Sequence, residues 1–185
     1  MDEKRNNDFV TNRDKKIQHL KREISEYIEK VTLALNRPLK DGTHFFLDIP
    51  ENKRTFRSYQ KNGISSLSGA VYIFYLSERC DLTKEKSRFF KIGRVGPKST
   101  ARFDGHHYNP KSSGSNLAKS ILQSKKEYNL NVNKRSVKSF IENNFIRLNI
   151  LFLDAAPEFS NELVEAILHY KYNPLFEGPI SQRKE

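Results

Sequence analysis

Two short apolar segments constrain this chain more than any other feature. Residues 69–75 read Gly-Ala-Val-Tyr-Ile-Phe-Tyr, and residues 90–94 read Phe-Lys-Ile-Gly-Arg. Each reads as a β-strand. Residues 77–87 between them are polar enough for a connecting loop, so the pair predicts an antiparallel hairpin. Each strand carries one polar group within its apolar run, Tyr72 on the first and Lys91 on the second.

The flanking sequence supplies helices and one more clear strand. Residues 1–14 are polar and are expected to fray. Ile17, Leu20, Ile24, Tyr27, Val31 and Ala34 recur at alternating steps of three and four, an apolar stripe on a helix that stops before Pro38. The stripe is short for a coiled coil. That favours packing on the protein's own core over a partner helix in a homodimer. Residues 36–62 read as irregular, though residues 44–49 can form a short strand. After the hairpin, residues 96–100 form a turn and helix start, with Ser99 or Thr100 as N-cap. That helix would carry Arg102 and His106 one turn apart on one face. Ser115 caps a next helix through Asn116, Leu117, Lys119, Ile121 and Leu122. Residues 145–152 suit a third strand. Ser160 caps a last helix running from Glu162 to Tyr172, with Leu163, Ala166, Ile167 and Tyr170 facing inward. The expected fold is α+β: a small, mainly antiparallel three-stranded sheet flanked by helices. An N-terminal helical extension and linker occupies residues 1–62, and the main domain residues 63–185.

Charge points to the partner. The formal net charge is +11, and residues 84–138 alone hold 14 Lys or Arg against 3 Asp or Glu. The whole excess thus sits on the second strand and the helices after it. A basic face of this kind is the footprint of a polyanion, and DNA is the expected partner. Cys80 is the single cysteine, which excludes an internal disulfide and a cysteine-rich zinc site and suits a reducing cytoplasm. The apolar runs are far too short to span a bilayer and residues 1–15 hold no signal core, so no membrane role is expected.

A tyrosine, a lysine, an arginine and a carboxylate are the parts needed to hydrolyse a phosphodiester with one bound cation. Taken alone, Tyr72 is as readily a core residue as Tyr75, and Lys91 as readily an edge-strand lysine. Glu165 could equally be a surface carboxylate, as Glu158 and Glu162 are expected to be. Their order and spacing say more. Ala70-Val71-Tyr72, preceded by Gly69, is followed by Lys91-Ile92-Gly93, and Arg102 comes eleven positions after Lys91. Glu165 stands nine positions before Pro174. From residue 66 to residue 178 this pattern resembles the GIY-YIG nuclease family. Lysine replaces the tyrosine of the second triplet, as in a small group of its type II restriction endonucleases. The family's asparagine three positions past the proline is here Glu177.

The resemblance implies a divalent-metal-dependent endonuclease, with Glu165 holding Mg²⁺ or Mn²⁺. Tyr72 would act as general base toward water, with its phenolate favoured by the Lys91 ammonium. Arg102 would grip the phosphate and stabilise its growing charge, and His106 is the candidate donor to a phosphate or leaving oxygen. Arg94, Lys98, Lys111, Ser115, Asn116 and Lys119 are candidate positioning contacts to the nucleic-acid backbone. Restriction-type cleavage of duplex DNA is the first expectation. A structure-selective repair or mobile-element nuclease shares the same chemistry. A catalytically inactive DNA-binding module and a structural dimerisation protein are the alternatives from other classes.

Overall fold

The computed structural model describes residues 2–50, 59, 67–77, 88–96, 106–112 and 116–176, with residues 2–13 as backbone. In chain order its elements are α1 (Asp2–Ala34), β1 (Phe45–Asp48), β2 (Leu67–Leu76), β3 (Phe89–Val95), a 3₁₀ turn (His106–Tyr108), α2 (Leu117–Ser124), α3 (Val137–Asn144), β4 (Phe145–Leu153) and α4 (Ser160–Tyr172). The predicted hairpin is β2 with β3. The sheet is fully antiparallel and has four strands, not three, in the order β1-β4-β2-β3. The extra strand lies within residues 44–49, and it pairs along β4 from Phe45↔Phe152 to Asp48↔Asn149.

Strand alternation sends successive side chains to opposite faces, and both faces are covered. Val71, Ile73, Ile92, Leu148, Ile150 and Phe152 pack against α1 and α4. Ala70, Tyr72, Phe74, Phe90 and Leu151 pack against α2, α3 and Tyr59. Leu20, Ile24 and Ile28 of α1 are buried in the first of these layers. Each fully buried side chain of this kind contributes about 1.5–3 kcal/mol relative to exposure. Of the expected stripe only Leu20 and Ile24 are buried; Ile17, Tyr27 and Val31 are half-buried and Ala34 is exposed, while Ile28 and Thr32 complete the buried face. That face packs on the protein's own core, which joins α1 to strands β1 to β4. The helix also starts earlier than the polar composition predicts, at Asp2 instead of fraying to residue 14.

Two local expectations change. Asn116, not Ser115, is the N-cap of α2: its side-chain oxygen accepts the Lys119 N–H at 2.7 Å. In α4 the buried positions are Ser160, Val164 and Leu168, while Tyr170 is 89% exposed and Ala166 is exposed. The helix is rotated from the expected stripe because Val164 and Leu168, four apart, fit the layer formed by Val71 and Ile150. Ser160 does not cap it; its hydroxyl donates to the Pro157 carbonyl at 2.5 Å. Asn173, in left-handed conformation (φ 41°), ends α4 just before Pro174. Among the described residues, no helix is long and apolar enough to cross a membrane.

Candidate active site

β3 is an edge strand, and its register sorts the candidate residues. Tyr72 lies opposite Gly93, Phe74 opposite Lys91, and Val71 opposite Arg94. Directly opposed residues of an antiparallel pair project to the same face. Tyr72 and Lys91 therefore share the face toward α2 and α3, and Arg94 projects to the α4 face.

Tyr72 is fully buried. Its ring extends across the neighbouring strand at Gly93. A Cβ built on Gly93 would stand 2.6 Å from the Tyr72 Cζ, with the hydroxyl oxygen closer still. The glycine of the second triplet thus has a steric role: only a residue without a side chain lets the phenol lie there. Lys91 is buried, not a solvent-facing edge lysine, and its ammonium donates to the Phe176 carbonyl at 3.4 Å. The chain following α4 closes over this end of β3, with the N–H groups of Leu175 and Phe176 donating to the Phe89 and Phe90 carbonyls.

On the opposite face Arg94 binds both carboxylates of one helical turn. Its Nε lies 2.8 Å from Glu165 and its Nη1 2.5 Å from Glu162. Glu162 is not the uninvolved surface glutamate that the sequence implies, because it shares this guanidinium with Glu165. The sheet stands between the Tyr72–Lys91 pair and the Arg94–Glu165 pair, and the two are joined through consecutive residues, Gly93 and Arg94.

The other candidates divide as follows. Arg102, Lys98 and Ser115 lie outside the described residues, as does Glu177. His106 is half-buried in the 3₁₀ turn, but the ring packed on Tyr72 is that of His107, with centroids 4.5 Å apart. Lys111 and Lys119 are exposed, and the Lys111 N–H is held by the Asn109 side chain at 3.0 Å. Asn116 is buried, and its amide is engaged at both ends, by the Lys119 N–H and by the Ser112 carbonyl.

Sequence reasoning missed a polar row on the Tyr72 face. Asp48, Asn149, Tyr72 and Gly93 lie opposite one another across all four strands. Tyr59 donates a very short hydrogen bond to Asp48, and the Asn149 amide donates to Tyr59 at 3.3 Å. Arg147 Nε donates to the Asn149 oxygen at 2.9 Å, and its guanidinium lies 5.7 Å from the Tyr72 ring centre and 5.8 Å from that of Phe74. Burial and the Asp48 carboxylate push the Tyr59 phenol well above its usual range, so it stays a donor. The signal was present in the alternation of residues 145–150, whose polar positions are Arg147 and Asn149. It reads as a solvent face only until the helices that cover it are known.

No family model, curated protein or solved structure matches this chain. Its chemistry has to be read from these side chains. Glu162 and Glu165 are two carboxylates of one helical turn, and in this structure both are engaged by the Arg94 guanidinium. Among the described residues no group of three or more His, Cys, Asp or Glu gathers into a metal cage. One or two protein carboxylates, with water and phosphate oxygens completing the shell, is the habit of Mg²⁺.

Proposed function

We propose that this protein is a divalent-metal-dependent endonuclease that hydrolyses DNA phosphodiester bonds, acting restriction-type on duplex DNA. The observation that carries the reading is the register at β3. Tyr72 reaches over Gly93, Lys91 stands two cross-strand pairs along on the same face, and Arg94, the residue after Gly93, binds Glu165. Three separated parts of the sequence pattern thus converge on one edge strand. Tyr72 takes a proton from the attacking water, and the Lys91 ammonium favours its phenolate. Glu165, with Glu162 beside it, holds the cation, which supplies charge neutralisation at the phosphate. The exposed Lys111 and Lys119 grip the backbone of the duplex. A lone cysteine suits such work in a reducing cytoplasm.

A second reading has its own observation. Tyr72 and Glu165 project from opposite faces of the sheet, and the Glu165 carboxylate is neutralised by Arg94. That arrangement favours a DNA-binding module without catalysis. Incubation with supercoiled plasmid and Mg²⁺ or Mn²⁺, with a chelator control, separates the two. The nuclease reading expects metal-dependent cutting that Glu165→Gln abolishes. Mapped ends at one repeated sequence mark a restriction-type enzyme. Binding without cutting in either metal overturns catalysis.

A further inference from the structure

The polar row beside Tyr72 has a direction. Arg147 donates to Asn149, Asn149 to Tyr59, and Tyr59 to Asp48. Every donor points toward the one carboxylate, and the cation stands at the far end. Each bond polarises the next in the same sense. The Asn149 amide can take only one orientation, because it must accept from Arg147 and donate to Tyr59. Arg147 is consequently a held group, not a freely rotating one, and it is held against the Tyr72 and Phe74 rings, of which only Tyr72 can ionise.

We infer that Arg147 is a positioning residue for Tyr72, kept by Asp48, Tyr59 and Asn149 where its charge prepares the phenol to release its proton. The inference rests on the proposed role of Tyr72 as general base. Ionisation leaves a phenolate on Tyr72 and releases one proton to solvent, and a cation close to the ring stabilises that anion. Other groups face the ring too. Lys91 comes from β3 and acts in the same sense as Arg147. His107 comes from the 3₁₀ turn, its ring 4.5 Å away. Asp48 from β1 opposes ionisation, but Tyr59 stands between it and Asn149 and engages its charge. The buried side chains of α2 and α3 carry no titratable or charged group: Leu117, Ala118, Ile121, Ser124, Val137 and Ile141.

The test is the near-ultraviolet phenolate absorbance of the full chain against pH, taken as the difference from Tyr72→Phe in the same background, without DNA or metal. Arg147→Met keeps the stem and removes the charge, and should move the Tyr72 transition up by about one pH unit. Arg147→Lys keeps the charge and should recover at least half of that shift. A transition unmoved in Arg147→Met overturns the inference, and so does an equal shift in both variants, which would make the effect one of packing. If Arg147→Met fails to fold, Asn149→Ser decides: freeing the guanidinium should raise the transition, and no movement overturns the inference. Because the readout needs no cleavage, a shift in a protein that cuts no DNA would sustain Arg147 and sink the nuclease reading. Cleavage without the shift would do the reverse.

Discussion

The Tyr72 ring occupies the space above Gly93 on the neighbouring strand, where any side chain at that position would project. Gly93 has no unusual backbone requirement among the described glycines; its smallness is what matters. Gly93→Ala must therefore displace Tyr72 or the strand. We expect a loss of about 1–3 kcal/mol in urea unfolding, the usual cost of overpacking. In a Tyr72→Leu background the same substitution should cost clearly less, since the overlapping ring is gone. Equal costs in both backgrounds would separate the two residues energetically.

Replacing Glu165 by glutamine keeps the size and removes the charge. A neutral amide is a poor ligand for a hard cation, so cleavage should fall by about a hundredfold or more while DNA binding persists. Glu162→Gln should weaken activity partly, because Glu162 shares Arg94 with Glu165. The exposed Glu158 is the proper control, and Glu158→Gln should cut normally. Wild-type cutting by Glu165→Gln would remove it as the metal carboxylate.

Lys111 and Lys119 are exposed residues within the basic segment 84–138. Each phosphate contact adds about 0.9 to the slope of log affinity against log salt. The double alanine variant should therefore flatten that slope by up to about 2 without changing thermal stability. An unchanged slope in a DNA titration series would place the duplex on another surface.

Lys171 of α4 reaches Glu23 of α1 at 2.8 Å, and Tyr172 donates to the same carboxylate at 3.1 Å. The hydrogen bond from the Lys171 ammonium holds the Glu23 carboxyl below its ordinary value of 4.5. A folded value below the unfolded one contributes stability above the ordinary carboxylate range, and that contribution disappears as pH falls through the lowered value. The pair is half-exposed, so the contribution at neutral pH should be under about 1 kcal/mol. Urea midpoints of wild type and Glu23→Gln should differ near neutrality and converge near pH ~3. A gap that persists in acid would assign the effect to packing.

Local patterns in the sequence determined the hairpin of β2 and β3, the α1 helix and its stop before Pro38, the strand at residues 145–152 and the existence of α4. Those features depend on periodicity and on backbone-restricting residues within one segment, which neighbouring side chains hardly change. The pairing of Tyr72 with Gly93 follows from strand register, which residues 69–75 and 90–94 do not specify by themselves. The rotation of α4, which buries Val164 and exposes Tyr170, was decided by the sheet it covers. So was the role of Arg147 and Asn149: an alternating strand shows which positions share a face, but not whether water or a helix lies over that face. Arg94 belongs with Glu162 and Glu165 only because a strand edge and a helix 68 residues later in the chain come to lie together. Such a contact carries no local signature, since the groups that make it stabilise each other only once the chain has closed the distance.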